Sequence, residues 1–383
     1  MRRSCAVLTL ACLLAALVVA APRAAPLAGA AQPAVPAAPL LAYYYVWFDP
    51  SSWGRAKTDY PQLGRYSSDD PRILRQHVEW AKSAGIDGFI VSWKSTPTNN
   101  RRLRLLMNVA KQADFKLAMI YQGLDFDRHP LPVARVADDF ATFRDQFAGD
   151  PVFFRMGGKP LTIWSGTWAF NHDDVARVTG AVRPAMLVLS TEKNKDGYRR
   201  IADVTDGDAY YWSSVNPETN GGYETKLKQM AQTIHDDGKY WIAPFSPGFD
   251  ARMVGGTQVV ERKDGQTLRT EYATAIRSSP DALGLISWNE FSENSYVEPS
   301  EKYGNRYLDV LRELRQAPPP TPSLGADSSE DAQPYAGLPG GQWTNALLLV
   351  GFVVLLVVGV GLFAALRRRR ERRRATADTG SPP

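Results

Sequence analysis

Cysteine and histidine are scarce in this chain, and their scarcity excludes several kinds of chemistry. The 383 residues contain two cysteines, Cys5 and Cys12, and both lie near the N-terminus. The rest of the chain therefore forms no disulfide and uses no thiol, so a domain there depends on its hydrophobic core alone. The four histidines, at positions 77, 129, 172 and 235, lack the spacing of metal ligands. We expect no metal and no organic cofactor.

A glycine-rich phosphate loop and a basic globular surface are also lacking. No such loop follows the first predicted strand, which disfavours a doubly wound nucleotide-binding sheet. The net charge of the chain is +5, whereas Arg2, Arg3 and Arg23 contribute +3 and the tail at residues 367–383, with seven arginines, one glutamate and one aspartate, contributes another +5. The part of the chain between these two basic ends is slightly acidic, so we expect no binding to nucleic acid.

The N-terminus has the pattern of a secretory signal peptide, which we assign to residues 1–30. A short basic stretch precedes an apolar run over residues 6–21, which is too short for a membrane span. The small residues at 28–30 predict cleavage before Ala31. The alternatives are an uncleaved anchor and a lipoprotein attached through Cys12; the apolar run continues past that cysteine and disfavours the second.

The C-terminus predicts a membrane span. Residues 346–366 carry no charge, and at about 1.5 Å per residue a helix of this length crosses roughly 30 Å of bilayer core. The arginines that follow are retained on the cytoplasmic side. We therefore expect a single-pass protein of the cell membrane with an extracellular N-terminal domain. Residues 338–341 resemble a sortase signal but lack its threonine, so retention in the membrane is the favoured outcome.

Composition divides the chain between these two ends. Residues 31–40 form an Ala/Pro linker, residues 41–316 a globular domain rich in Trp and Tyr, and residues 317–345 a Pro/Gly/Ser-rich stalk, with a basic tail at 367–383. In the globular part, short β-branched or aromatic runs alternate with amphipathic stretches. The predicted strands are residues 42–47, 87–92, 116–121, 160–164, 186–190, 208–212, 240–244 and 283–288. The predicted helices are residues 71–84, 101–113, 133–147, 172–181, 197–202, 223–237, 268–278 and 303–315.

Eight strand–helix units of this total length predict an α/β fold, a (β/α)8 TIM barrel followed by one transmembrane helix. A doubly wound open sheet is the alternative. In a barrel, functional residues gather at the C-terminal ends of the strands. Here those ends are rich in aromatic rings beside amides and carboxylates, a composition that suits the flat faces and hydroxyls of sugars. The strand-end residues of this kind include Trp47, Trp93, Tyr121, Gln122, Tyr211, Trp212, Asp250 and Asn289.

Two glutamates stand out directly after the eighth strand. Glu290 and Glu293 lie three residues apart in the segment SWNEFSE, where a strand turns into a loop and both side chains can face the barrel mouth. Glycoside hydrolysis requires a pair of carboxyl groups, one of them able to hold a proton. An isolated pair at this spacing is a common surface pattern, but the position after Trp288-Asn289 favours a catalytic pair.

Several segments resemble glycoside hydrolase family 99, which contains endo-acting α-mannosidases and α-mannanases. The similarity covers residues 42–315, and its most specific part is SWNEFSENSYVEPS at 287–300. It is also carried by YYYVWFDP at 43–50, by residues 64–95 and by PGFDAR at 247–252. The resemblance implies a (β/α)8 barrel, in agreement with the strand count.

The resemblance also implies roles for individual residues. Asn289, Glu290 and Glu293 match the family's N-E-x-x-E motif. By this resemblance Glu290 is the general base on the sugar 2-hydroxyl, and the reaction passes through a 1,2-anhydro sugar with retention of configuration. Glu293 protonates the leaving oxygen and then deprotonates water. Together with the strand ends, it predicts these substrate-binding or positioning residues: Tyr45, Trp47, Trp93, Tyr121, Gln122, Trp212, Asp250, Arg252, Asn289 and Tyr296.

The chain differs from the family at two places that border the substrate. Ser51-Ser52-Trp53-Gly54 stands where the family often has Trp-His, and Phe291-Ser292 replaces Trp-His inside the motif. The expected partner is a polysaccharide or oligosaccharide, with an α-mannoside as the leading substrate. A similarity to α-1,3-glucanases keeps α-glucans open, and a glycan-binding or envelope protein without activity is the alternative from a different class.

Overall fold

The structure, a computed structural model, describes residues 38–125 and 127–316, and in this part strands and helices alternate in the predicted order. The eight main strands, β1 to β8, are Leu40–Tyr45, Gly88–Trp93, Lys116–Gln122, Lys159–Ser165, Leu187–Leu189, Gly207–Ala209, Tyr240–Phe245 and Ala282–Leu285. The helices that follow them, α1 to α8, are Pro71–Ser83, Pro97–Gln112, Val133–Gln146, His172–Gly180, Lys195–Arg199, Tyr223–Asp236, Gln266–Arg277 and Arg306–Gln316.

The eight strands are parallel and form a ring, as in a TIM barrel. Strand β1 pairs with β2 on one side and with β8 on the other. The ring closes between β5 and β6, where the Ser190 N–H donates to the Gly207 carbonyl at 3.0 Å and the Ala209 N–H donates to the Ser190 carbonyl at 2.8 Å. This pairing is the predicted barrel and differs from the open, doubly wound alternative.

Alternation along the strands divides the core into two layers. Inward-facing apolar side chains such as Tyr43, Ile90 and Ile163 fill the barrel. Their neighbours in sequence, such as Tyr44 and Phe89, face outward and pack beneath the helices. This parity decides which residue at each strand end can reach the barrel mouth.

Helix starts follow local capping rules. The Asp70 carboxylate accepts from the Arg72 N–H at 2.9 Å, and Pro71 occupies the first helical position. Helix α2 begins at Pro97, four residues before the prediction, because Thr96 Oγ1 caps the Asn99 N–H at 3.1 Å. A Thr-Pro pair is therefore a start signal that amphipathic periodicity alone does not reveal.

A short antiparallel hairpin, Phe249–Asp250 with Val259–Val260, extends from the loop after β7. Its Asp250 N–H donates to the Glu293 carbonyl at 2.7 Å, so this hairpin supports the loop that carries the two glutamates.

The predicted signal peptide (1–30), stalk (317–345), membrane span (346–366) and basic tail (367–383) lie outside the described residues, as does most of the linker at 31–40. Among the helices of residues 38–316 that the structure describes, none has the length and apolarity needed to cross a membrane.

Candidate active site

A cavity of about 450 Å³ opens at the C-terminal ends of the barrel strands. Such a volume lies within the usual range for small-molecule sites, about 300–1,000 Å³. Glu290 and Glu293 both line it, together with the predicted residues Tyr45, Trp47 and Gln122. The structure thus brings the glutamate pair and the aromatic rim to one place.

The loop after β8 holds both glutamates in a folded-back conformation. The Ser287 N–H donates to the Ser295 carbonyl at 2.6 Å, and the Ser295 N–H donates to the Glu290 carbonyl at 3.2 Å. The Glu290 N–H donates to Ser287 Oγ at 2.8 Å. These bonds explain how two residues three apart on a loop both remain directed into the barrel, with side chains only 5% and 8% exposed.

Glu290 lies in an environment that weakens its acidity. Burial raises the pKa of this carboxyl to about 7, while the charge of Lys57 opposes the rise. The Ser292 N–H donates to Glu290 Oε1 at 3.0 Å, and Lys57 Nζ donates to Ser292 Oγ at 2.7 Å. A carboxyl with a pKa near neutrality is suited to accept a proton from a hydroxyl.

Glu293 is held in the protonated form more strongly. Burial raises the pKa of its carboxyl well above the usual range, and the charge of Glu290 raises it further, against an opposing effect of Arg128. Two neighbouring carboxyl groups in a dry site do not both ionise easily. The pair therefore holds one group ready to accept a proton and one ready to donate it.

A pair of tyrosines lies beside the glutamates. The hydroxyl oxygens of Tyr45 and Tyr211 are 2.6 Å apart, and the Tyr45 ring stacks on Trp47 with centroids 4.1 Å apart. Burial raises the pKa of both phenols, and both glutamates add to the shift. Both hydroxyls remain protonated at neutral pH and can donate to a sugar oxygen.

Asn289 acts within the protein and does not line the cavity. Its Oδ1 accepts from the Tyr45 N–H at 2.9 Å, and its Nδ2 donates to the Tyr45 carbonyl at 3.0 Å. This fully buried amide joins the end of β1 to the glutamate loop. Its position, outside the cavity lining, fits the predicted positioning role.

Strand parity removes two predicted aromatic contacts from the cavity. Tyr121 faces outward, is fully buried and donates to Asp139 at 3.0 Å, while its neighbour Gln122 lines the cavity. Trp212 also lies outside, against Tyr210 and Tyr223, and the inward residue at that strand end is Tyr211. Applying the two-residue alternation to each strand end would have selected Tyr211.

Trp93 lines the cavity but is almost fully buried. Its ring packs against Phe143 of α3 and against Phe147 directly after that helix, and its indole N–H donates to Asn100 Oδ1 at 2.9 Å. Its role is mainly to support the cavity wall.

Three further predicted residues lie away from the cavity lining. Asp250 and Arg252 form a bidentate ion pair with atoms 2.7 and 2.9 Å apart, and the Arg252 side chain is largely exposed. Tyr296 is fully buried, stacks on Phe291 at 4.0 Å between centroids and donates a short hydrogen bond to Asp59. Tyr296 therefore packs against the glutamate loop outside the cavity lining.

The prediction missed the cations of the cavity. Lys94, Arg128 and Lys193 line it, as does Trp168. Arg128, Trp168 and Lys193 lie beyond the strand ends, where neither periodicity nor a motif marks them, whereas Lys94 directly follows β2 and was not selected as a site residue.

Within the described residues, one group could hold a metal ion. Asp125, Asp127 and His129 bring ligand atoms within 4.8 Å of one another, and Asp127 and His129 are exposed to solvent. Exposed acidic groups of this kind are common without an ion, and we derive no chemistry from this one.

Comparison with known proteins identifies a family. The model for "Glycosyl hydrolase family 99" matches residues 51–314. A mutanase of Penicillium rubens is 26% identical over 236 residues, which cover 59% of this chain and 49% of the relative. A glycoprotein endo-α-1,2-mannosidase-like protein of Mus musculus is 22% identical over 283 residues, which cover 66% of this chain and 61% of the relative. The chain thus spans about half to three-fifths of the length of these relatives.

A solved structure shares the fold over almost its whole length. The family 99 endo-α-mannosidase of Bacteroides thetaiotaomicron superposes with a TM-score of 0.65 at 22% identity, covering 72% of this chain and 96% of the other. The barrel, the glutamate pair at its mouth and the match over residues 51–314 lead to one conclusion: this chain belongs to glycosyl hydrolase family 99.

Proposed function

We propose that the protein is a retaining endo-glycosidase that cleaves α-mannosides or a related α-glycan. The observation that carries this proposal is the pair of buried carboxyl groups in one aromatic-walled cavity, whose pKa values are raised to different extents. General acid–base catalysis needs such a difference. The names of the relatives, which include endo-α-mannosidases and a mutanase, agree with this substrate class.

In the proposed reaction, Glu290 removes the proton from the sugar 2-hydroxyl. The 2-oxygen attacks the adjacent anomeric carbon, the glycosidic bond breaks, and Glu293 gives its proton to the leaving oxygen. Water then attacks the anomeric carbon of the 1,2-anhydro sugar and loses a proton to Glu293, while Glu290 returns its proton to the 2-oxygen. Two inversions give net retention, and both glutamates end in their starting protonation states.

Product analysis tests this proposal directly. The protein is incubated with a panel of α-mannans and α-glucans, and the anomeric configuration of newly released reducing ends is followed by NMR. We expect oligosaccharides of retained configuration from an α-mannan. Release from α-glucans alone would favour the second substrate, an inverted product would refute the mechanism, and glycan binding without any release would favour a non-catalytic binding protein.

The charge of Lys57 should determine the pH below which kcat/KM falls, which is the acid limb of its pH profile. The Glu290 carboxyl has a pKa of about 7, and Lys57 lowers it by stabilising the carboxylate. In Lys57→Met this stabilisation is lost, so the acid limb of kcat/KM moves to higher pH. Lys57→Arg keeps the positive charge and should leave the limb close to its wild-type position. A limb that stays fixed in Lys57→Met would contradict the assignment of Glu290 as base.

We also propose that residues 346–366 anchor the barrel on the outer face of the cell membrane. The uncharged run followed by arginines supports this topology. Extraction of the intact polypeptide by detergent alone is the expected result. Release only after digestion of the cell wall would favour the sortase alternative.

A further inference from the structure

One arc of the cavity carries an excess of positive charge. Lys94 follows β2, Arg128 lies in the loop after β3, and Lys193 follows β5, and all three line the cavity. Strands β2, β3, β4 and β5 are successive neighbours in the barrel, so these three cations lie on one side of its mouth. The glutamate pair instead enters from the loop after β8.

The carboxyl groups of the cavity do not balance this charge. Asp125, Glu290 and Glu293 are its acidic lining residues, and Glu293 holds its proton at neutral pH because of burial and of its neighbour. Burial lowers the pKa of both Lys94 and Lys193, which shows that neither ammonium group is fully solvated. Asp139 and Glu192 lie outside the lining and act on Lys94 and Lys193 respectively, but each carboxylate is itself paired with an arginine. The cavity therefore keeps a positive potential that favours an anionic ligand.

Lys193 is the cation best placed for recognition. Its Nζ lies 4.3 Å from the ring centroid of Trp168, which also lines the cavity, so the indole face orients the ammonium group. Lys94 already uses one of its donors within the protein, because its Nζ donates to the Leu124 carbonyl at 2.9 Å. The carboxylate that acts on the Lys193 charge is Glu192, which is itself paired with Arg200 at 3.3 Å. Trp168 and Lys193 together offer an apolar face and a charge to one sugar.

We propose that the cavity takes a glycan bearing an anionic group, a carboxylate or phosphate on a sugar beside the cleaved bond, and that Lys193 recognises that group. This inference rests on the proposed glycosidase function and specifies its substrate class. A neutral glycan could use the same cations only through ordinary hydrogen bonds to hydroxyls. Binding of an anionic glycan should therefore depend strongly on the charge of the ligand, whereas binding of a neutral glycan should not.

The experiment compares matched glycans that differ only in charge. The probes are α-mannan oligosaccharides, the same oligosaccharides oxidised at C6 to uronates, and the same oligosaccharides phosphorylated at C6. For the wild-type protein, we expect a higher kcat/KM on one or both acidic probes than on the neutral one, with a preference that shrinks as salt is added. The uronate and phosphate arms distinguish the kind of anionic group.

Substitution of Lys193 then tests the residue. Lys193→Gln should lower kcat/KM on the preferred acidic probe by about tenfold more than on the neutral probe, the usual effect of one lost charge-assisted hydrogen bond. Lys193→Arg should restore most of the preference. Lys111→Gln, in the last turn of α2 and outside the cavity lining, is the matched control and should behave as wild type.

Two outcomes overturn the inference. Either the wild-type protein shows no preference for acidic probes, or Lys193→Gln weakens all probes equally. Calorimetric binding of the three probes keeps this test separate from the proposed activity. If no probe is cleaved, the proposal of an α-mannoside as the substrate fails, and a Lys193-dependent affinity for acidic probes still decides the inference.

Discussion

Glu290→Gln and Glu293→Gln are each expected to lower kcat on the true α-glycan by about 10²–10⁴-fold, the usual contribution of a general acid or base. Glutamine keeps the shape of each side chain but can neither accept nor release the proton that the reaction moves. The measurement is the rate of reducing-end release at the optimal pH. Glu301→Gln, an exposed glutamate a few residues further along the chain, is the matched control and should retain wild-type activity.

Activated substrates should separate the roles of the two glutamates. An aryl glycoside with an acidic phenol as leaving group needs little protonation when its bond breaks. Glu293→Gln should therefore recover much of its lost rate on the bond-breaking step of this substrate, whereas Glu290→Gln should not. Equal defects on both kinds of substrate would contradict the assignment of Glu293 as the acid.

Stability measurements show whether the glutamine variants lose activity because proton transfer fails or because the fold is weakened. The pKa of both carboxyls is raised in the folded state above the unfolded value near 4.5. The folded state therefore binds more protons than the unfolded state. The contribution of these two carboxyls to the free energy of unfolding is fully present below about pH 4.5 and is lost as the pH rises through their folded-state pKa values. The Gln variants do not ionise, so at pH 8 they should be at least as stable as wild type. A midpoint of thermal unfolding that falls to the assay temperature would mean that unfolding, and not lost proton transfer, explains the lost activity.

The sequence was informative about the fold because each strand is short, apolar and followed by an amphipathic helix. All eight predicted strands occur, and closure of the ring needs no signal beyond their number and order. Boundaries were less accurate where a cap overrides periodicity, as at Thr96-Pro97. The hairpin Phe249–Asp250 with Val259–Val260 was missed because its strands are only two residues long.

The candidate site was predicted in part, and the reason lies in side-chain direction. The glutamates come from a motif of high specificity, and the structure places both in the cavity. Composition alone selected Tyr121 and Trp212, although alternation along β3 and beyond β6 directs Gln122 and Tyr211 inward. Arg128 and Lys193 lie on loops whose conformation depends on the whole barrel, so no local pattern identifies them.

A second large effect is expected from substitution of Glu298, which lies outside the cavity lining. Glu298 Oε1 lies 3.0 Å from His77 Nε2, and Oε2 accepts from the Tyr66 hydroxyl at 2.9 Å, with all three side chains buried. His77 Nδ1 in turn lies 2.9 Å from the Tyr44 hydroxyl. This network joins α1 and β1 to the end of the glutamate loop.

The same network reaches the two glutamates through Asn289. Its Nδ2 lies 3.3 Å from the Tyr66 hydroxyl, and the same amide holds the backbone of Tyr45 at the end of β1. Loss of the Glu298 carboxyl therefore leaves the Tyr66 hydroxyl without its acceptor and weakens the support that this hydroxyl gives to the Asn289 amide. Stability and catalytic geometry should decline together.

Glu298→Ala should destabilise the fold by about 3–5 kcal/mol, because it leaves the buried polar groups of His77 and Tyr66 without their partner. For a domain of this size that corresponds to a fall of roughly 10 °C in the midpoint of thermal unfolding. Glu298→Gln keeps an oxygen that can accept from Tyr66 and should lose distinctly less. Glu79→Ala, on the exposed face of the helix that carries His77, is the control and should change stability by less than about 0.5 kcal/mol. If Glu298→Ala unfolded at the wild-type temperature, the buried network would have no role in holding the glutamate loop.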